Sequence, residues 1–330
     1  MSPSQTASFY VVGGLAGLAA SYYGIRSWAA GGKASKRDLA KSLSGRNVVI
    51  TGANTGIGYE TALQLAKQGA SVYVACRPSQ KTDNAVQKLK QQSGNTNIFA
   101  EPLDLSSLQT VRDFAQRWEK HGKPIHILIN NAGIMALPEK NLTVDGNEAQ
   151  IGTNHLGHFL FTELLLPYVK KGAEGTSAAR IVNLSSVAHT QGFIVPEDLN
   201  YEKREYSPWQ VYGQSKLANI VYAQYLAKQL KGSNITVNAV HPGVVNTELT
   251  RYIDTGILKV LLSVGTILMK TPWEGAQTTL HVALSDECEK VTGEYFHDCK
   301  IRKPVPRDGQ ILDDKLQADF IQHSRRLVGL

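Results

Sequence analysis

Two residue types four positions apart in this chain could move a proton. Tyr212 and Lys216 stand in the run Tyr212-Gly-Gln-Ser-Lys216. The surrounding pattern predicts a helix over about residues 209–230, and on a helix residues i and i+4 share a face, one turn apart. A free phenol titrates near ~10 and exchanges protons poorly at neutral pH. An ammonium one turn away favours the phenolate and lowers that value. The pair would then serve as a general acid or base near pH 7. Spacing of this kind also arises by chance on many helices, so its meaning rests on what the rest of the chain brings to it.

The first candidate is a glycine turn. Residues 47–51 read as a short apolar strand, and Gly52-Ala-Asn-Thr-Gly56-Ile-Gly58 comes directly after it, leading into a helical pattern through Ala62, Leu63, Leu65 and Ala66. Strand, glycine turn and helix N-terminus is the context of a dinucleotide site: the backbone approaches the pyrophosphate, and free helix N–H groups receive its charge. The spacing is GxxxGxG rather than the commoner GxGxxG, and an ordinary glycine-rich turn is the plain alternative. A second strand over 71–76 ends in Ala75-Cys76-Arg77-Pro78-Ser79-Gln80-Lys81, where an NAD site usually carries a carboxylate for the ribose 2′-OH. No carboxylate occurs before Asp83. Arg77, with Lys81 as a helper, is placed to clamp a 2′-phosphate, which points to NADP(H); a surface arginine is the bland reading.

Further strands are expected at about 98–103, 126–130, 180–184 and 236–241. They run into polar or glycine clusters: Asp104-Leu105-Ser106, Asn130-Asn131-Ala132-Gly133, Ser185-Ser186, and Pro242-Gly243. In an open parallel sheet the ligand lies at such carboxyl ends. Asp104 could reach an adenine amino group or cap the next helix, where Ser106 competes for the cap. A long helix over about 146–170 carries Asn154, His155 and His158. Two histidines three apart with no third ligand in view are better read as satisfied helix residues than as a metal site.

The composition of the 330-residue chain, 42% hydrophobic and 19% charged, is that of a globular protein with a full core. Its net charge of +7 is concentrated: residues 1–25 carry no charged side chain, and Arg26, Lys33, Lys36, Arg37, Lys41 and Arg46 stand against Asp38 alone. Basicity confined to so short a stretch argues against nucleic-acid binding. Three cysteines, Cys76, Cys288 and Cys299, show no metal or disulfide spacing, which suits a reducing compartment. The uncharged stretch Ala7 to Ile25, 19 residues long with Tyr10, Tyr22, Tyr23 and Trp28 near its ends, is about the length that spans a bilayer. A signal peptide and a surface helix are the alternatives; the first lacks a basic start and the second a polar face. The expectation is a membrane anchor over 1–30, a basic collar over 31–46 that keeps the remainder of the chain in the cytosol, and one domain over 47–330.

Taken together, TGANTGIG at 51–58, NNAG at 130–133, Asn154, Ser186, the Tyr212/Lys216 pair and PG at 242–243 are in the order and at the intervals of the short-chain dehydrogenase/reductases, and the chain from about 43 to 296 resembles that family. ACR at 75–77, NHLGHF at 154–159, NLSSVAH at 183–189, QSKLAN at 214–219 and HPGVVNTEL at 241–249 are similar to its membrane-anchored retinol dehydrogenases numbered 11 to 14. Pro78 and Gly213 depart from that group's usual residues. The resemblance implies an α/β doubly wound fold, a seven-stranded parallel sheet with helices on both faces. It implies Tyr212 as general acid/base and Ser186, rather than Ser185, bonding the substrate oxygen. Lys216 would hold the nicotinamide ribose, and Asn154 would tie a water to Lys216; the plain alternative for Asn154 is a buried polar residue that kinks its helix. The implied cofactor site comprises Gly52, Asn54, Thr55, Gly56, Ile57, Gly58, Arg77, Asp104, Leu105, Asn131, Ala132, Gly133, Tyr212, Lys216, Pro242, Gly243 and Thr247, with no metal. A homodimer through the long helices is a further family-level expectation.

The apolar run Ile257 to Met269 comes after Pro242-Gly243. It is too short to span a membrane, and reads either as a core helix or as a lid, over about 244–271, above a lipid-sized pocket. The implied reaction interconverts an apolar alcohol and its aldehyde or ketone: a retinoid or lipid aldehyde first, a polyprenol or steroid otherwise. An idle dinucleotide-binding scaffold is the reading of another class. The endoplasmic reticulum is the expected membrane, the mitochondrion the second choice.

Overall fold

A computed structural model describes residues 22, 24–175, 178–246 and 269–330. The predicted strands are present as β1 (Asn47–Thr51), β2 (Ser71–Cys76), β3 (Ile98–Pro102), β4 (Ile127–Asn130), β5 (Ala179–Leu184) and β6 (Ile235–His241). Two further short strands complete the sheet, β7 (Tyr295–His297) and β8 (Lys300–Arg302). The sheet order is β3-β2-β1-β4-β5-β6-β7-β8. Seven strands run parallel, as the doubly wound fold requires, and β8 adds an antiparallel edge through a tight turn. The order reverses between β1 and β4, and that switch point opens a crevice at the carboxyl ends of the strands.

The central strands are apolar throughout because both sheet faces are covered. On one face lie α1 (Gly56–Lys67), α2 (Gln80–Ser93) and α6 (Pro272–Leu284); Ile50, Leu65, Ala276 and Leu280 form their common core. On the other lie α3 (Leu108–His121), α4 (Gly157–Gly172) and α5 (Pro208–Gln229), packed through Phe114, Trp118, Phe159 and Tyr222. Each such side chain contributes about 1.5–3 kcal/mol by leaving water.

A last helix, α7 (Asp314–Val328), lies over α4 and α5. Asp313 caps it by accepting from Leu316 N–H, and Phe320 is fully buried against the His155 ring. Arg325 bonds Glu163 of α4 at 2.6 Å, and Lys228 of α5 pairs with Asp314. The long-helix face, where the family-level expectation puts a second copy, is covered here by the chain's own C-terminus.

The basic stretch 31–46 is built into the domain. Ala34 and Leu43 join the core, and Ser35 caps the short helix Lys36–Leu39. Lys41 donates to the Leu284 carbonyl and to Asp286, each at 2.6 Å. Residues 24–30 are helical, and Arg26 reaches α6: its Nη2 is 2.8 Å from both Glu274 carboxylate oxygens and its Nη1 donates to the Met269 carbonyl. Among the described residues no helix is long and apolar enough to cross a membrane; the anchor expected over residues 1–30 falls largely outside them, as does most of the expected lid.

Candidate active site

The glycine turn, Arg77 and Asp104 follow the carboxyl ends of β1, β2 and β3. Gly52 and Gly56 both take positive φ, and α1 starts at Gly56 with an N-cap, Thr55, that makes no side-chain cap bond. First-turn N–H groups have no partner within a helix, so this terminus can receive an anion. Asn54 binds the neighbouring turn, donating to Thr82 Oγ1 at 3.0 Å. Ile57 is buried, and Arg77 lies exposed at the end of β2, beside this turn. Asp104 does not cap α3: its carboxylate accepts from Ser106 N–H and O–H, the N-cap is Ser107, and Leu108 N–H finds Asp145 instead. Leu105 is buried under Gly157 of α4.

Loop 130–133 is held from several sides. Asn130 donates to Thr162 and to Asn183, both at 2.8 Å. Asn131 Nδ2 donates to the Thr51 carbonyl at 2.8 Å and Gly52's at 3.2 Å. Gly133 has a different reason to be glycine. A Cβ there would stand 3.2 Å from Asn154 Oδ1 and 3.3 Å from Lys216 Nζ, so its missing side chain keeps open the space between those two polar groups.

Asn154 sits in a π-helical turn, Gly152–Leu156, that joins the short helix Ala149–Ile151 to α4. Such turns interrupt the α-helical ladder and recur at functional sites. Its Oδ1 accepts from Ile134 N–H at 2.8 Å, while Nδ2 donates to the Ile134 carbonyl and to Ser215 Oγ, each at 2.9 Å. Both of its N–H donors are thus committed to protein: one, with Oδ1, secures Ile134 in the loop after β4, and the other reaches α5. Ser215 Oγ continues to the Tyr212 carbonyl.

The two serines have different surroundings. Ser185 is buried and donates to the Lys216 carbonyl at 2.8 Å, tying β5 to α5. Ser186 is half-buried; its hydroxyl accepts from Ala188 N–H at 3.2 Å and acts to lower the pKa of the Tyr212 phenol. Gly213, one departure from the related group, lets loop 188–192 approach α5: a Cβ would meet the Ala188 carbonyl at 2.5 Å. Lys216 Nζ has one hydrogen-bond partner among the described residues, the Leu184 carbonyl at 3.3 Å, and lies 5.6 Å from the Tyr212 ring centre. A buried ammonium carries three N–H donors, so this one is equipped for further acceptors such as ribose hydroxyls.

The electrostatics correct one expectation. Burial pushes the Tyr212 phenol up to about 12, against the smaller lowering by Ser186, and pushes Lys216 down to about 8. Both groups lose hydration, and in the protein alone that outweighs the attraction of the lysine for a phenolate. The two histidines diverge. His155 faces Ser324 of α7 at 3.0 Å, and His158 faces Thr51 at 2.8 Å. No cluster of metal-ligating residues occurs among the described residues.

Pro242 is buried, and the Lys270 side chain underlies Gly243. Val245 and Lys270 pair as an isolated parallel bridge, bringing together the two described ends of segment 247–268. Thr247 lies outside the described residues. Sequence reading missed Thr51, Ser215 and Lys270; polar residues next to a recognised motif are the signal that could have found the first two.

The residues fit a nicotinamide dinucleotide: a helix N-terminus for the pyrophosphate, a kept space at Gly133, and an under-partnered ammonium beside a tyrosine. Such a fold and site define a dinucleotide-dependent oxidoreductase. The short chain dehydrogenase family matches residues 46–257, and the chain belongs to it. It is 48% identical over 265 residues to human retinol dehydrogenase 12, covering 80% of this chain and 81% of that one. It is 41% identical over 295 residues to human retinol dehydrogenase 13, covering 88% and 86%. The solved Pseudomonas aeruginosa RhlG/NADP active-site complex superposes with a TM-score of 0.62 at 28% identity, covering 77% of this chain and 95% of that one.

Proposed function

We propose that the chain is an NADP(H)-dependent oxidoreductase that interconverts an apolar alcohol and its carbonyl, with a retinoid or lipid aldehyde as substrate. The observation that carries the reading is Lys216, a buried ammonium one turn from Tyr212 and short of acceptors. The bound nicotinamide supplies or takes up the hydride at the carbonyl carbon. In the reductive direction Tyr212 O–H gives its proton to the carbonyl oxygen as charge develops there, and Ser186 hydrogen-bonds the same oxygen. Lys216 stabilises the resulting phenolate, and Asn154 holds the loop that faces it. In the oxidative direction the same groups act in reverse.

The NADP(H) preference is supported by Arg77 and by the absence of a carboxylate before Asp83. Arg77→Glu should raise KM for NADPH far more than for NADH; an unchanged ratio would reduce Arg77 to a surface residue. The apolar substrate is supported by the run Ile257 to Met269 and by the retinol dehydrogenase relatives. A polyprenol or steroid fits the same features, and a panel of retinal, lipid aldehydes, steroids and short-chain aldehydes with NADPH decides between them. Rates on short-chain aldehydes equal to those on retinal would sink the apolar pocket.

Membrane attachment belongs to the same reading. Residues 1–25 carry no charge, and the helix at 24–30 exposes Ile25 and Trp28 while Arg26 holds it to the substrate segment's far end at Met269. The apolar N-terminus and the substrate loop would then share one edge of the domain, facing the bilayer from the cytosolic side of the endoplasmic reticulum. The mitochondrial membrane is the second assignment, which fractionation of tagged protein separates.

A further inference from the structure

His158 lies one turn after Asn154 on α4 and is only 2% exposed. Its two ring nitrogens face partners that dictate where its proton sits. Nδ1 is 3.0 Å from the main-chain carbonyl of Asn154. A carbonyl oxygen can only accept, so Nδ1 carries the hydrogen. Nε2 then offers a lone pair, and its partner at 2.8 Å, Thr51 Oγ1, must donate. Thr51 can do so, because its oxygen already accepts two amides, Asn131 N–H at 2.9 Å and Ala132 N–H at 3.0 Å. Every hydrogen in the set has one place. The other tautomer would turn a lone pair on Nδ1 toward the Asn154 carbonyl. A doubly protonated ring would press a third donor onto Thr51 and leave the hydroxyl hydrogen without this acceptor. Burial agrees with the neutral form, holding the imidazole at about 4 with Lys216 pushing the same way.

We propose that His158 is a positioning residue for oxidoreduction: as the Nδ1–H tautomer it locks the Asn131–Gly133 loop and the Asn154 turn into one register. The chain of bonds joins three segments distant in sequence. It starts in the loop after β4, passes through Thr51 at the end of β1, where the glycine turn begins, and ends through the His158 ring in the π-helical turn. Asn154 in turn holds Ile134 and, through Ser215, the Tyr212 carbonyl. Loss of the ring would leave the Thr51 hydroxyl and the Asn154 carbonyl each short of a partner in a dry site. The loop that flanks Lys216 and the helix that carries Asn154 could then shift independently. The consequence for turnover rests on the reading that a dinucleotide lies across Gly52–Gly58 and Asn131–Gly133.

The test uses the full chain in detergent or bilayer discs, with His158→Phe, His158→Gln, Thr51→Val, Thr51→Ser and the Thr51→Val/His158→Phe double variant. Four quantities are measured for each: NADPH affinity by calorimetry, kcat and KM, thermal midpoint, and amide exchange of the 129–136 region without dinucleotide. His158→Phe and Thr51→Val should each weaken NADPH binding and lower kcat at least tenfold, and speed amide exchange at 131–132. The double variant should be no worse than the worse single, since both break one chain. Thr51→Ser, which keeps the hydroxyl, should stay within about threefold of the parent. If His158→Phe lowers only the thermal midpoint, with affinity and kcat within threefold, or if the two effects add, the proposal is overturned. Unchanged exchange at 131–132 overturns it as well. Should His158→Phe fail to fold, the Thr51→Val and Thr51→Ser pair asks the same question from the other end. Absence of dinucleotide binding by the parent chain would defeat the proposed function, while amide exchange would still decide the role of His158 in holding the loop.

Discussion

Lys216 stands one helical turn beyond Tyr212, its ammonium 5.6 Å from the centre of the phenol ring, and both side chains are buried, with no carboxylate hydrogen-bonded to the ammonium among the described residues. Keeping a cation there costs stability. Lys216→Met should therefore raise the thermal midpoint at pH 7, on the order of 2–4 °C for ~1 kcal/mol, while lowering kcat at least a hundredfold. The pH dependence has a definite sign. The folded value, about 8, lies below the ordinary lysine value of 10.5, so between the two the unfolded chain binds the proton and the native chain does not. Stability from this group rises as pH climbs through that window. The advantage of Lys216→Met should shrink from pH 8 to 10.5 in parallel melts. A lower midpoint for the variant at pH 7 would show that the ammonium is stabilised in the free protein.

Gly133→Ala probes the space between Asn154 and Lys216 directly. The added methyl would stand 3.2 Å from Asn154 Oδ1 and 3.3 Å from Lys216 Nζ, contacts that need a few tenths of an ångström of give. The backbone at Gly133 is not in the left-handed region, so the fold should tolerate the change. NADPH affinity measured by calorimetry should fall at least tenfold with the thermal midpoint within about 3 °C of the parent. Unaltered affinity would mean that the bound group does not use this space.

The ion pair between Arg26 and Glu274 gives a test of the membrane-side edge. Its side chains are 19% and 15% exposed, and loss of the guanidinium would leave the Glu274 carboxylate, among the described residues, with its capping contacts to Thr271. Arg26→Met should free the N-terminal helix from Met269. Turnover of retinal delivered in liposomes should then fall at least threefold, with turnover of a small soluble carbonyl unchanged. Equal losses on both substrates would assign the pair to general stability instead.

Much of the doubly wound fold is legible because its strands are apolar runs that stop at polar or glycine clusters. The same kind of cluster draws attention to Ser186 and the glycine turn, whereas Asn154, on a helix, stands out only through the family resemblance. The parts that escape lack such local signals. The β7–β8 hairpin turns at Asp298 and Cys299, both with positive φ, without the Asn-Gly or Asp-Gly pair that usually marks such a turn. The stretch 31–46 reads in the sequence as a basic collar beside a membrane anchor, yet Lys41 finds Leu284 and Asp286 more than 240 residues away. Spacing alone places the Tyr212 phenol near neutrality, because it registers only the lysine one turn away. Burial is a tertiary quantity, and in the protein by itself it dominates.

The C-terminal helix α7 makes the last prediction. Phe320, Ile321 and Val328 are buried against α4 and α5, and Glu163 ties Tyr222 and Arg325 into the same contact at 3.0 and 2.6 Å. A self-association surface on those helices would first have to displace α7. The detergent-solubilised chain should therefore sediment as one 36.0 kDa protomer, with no dimer through this face. Phe320→Ala removes a fully buried ring and should cost about 3–5 kcal/mol, read as a lower denaturation midpoint. Deleting residues 313–330 should go further, exposing an apolar strip along α4 and α5 and driving association that grows with concentration. A parent chain that already sediments as a dimer, and a truncation that leaves that dimer intact, would move the self-association surface to another part of the molecule.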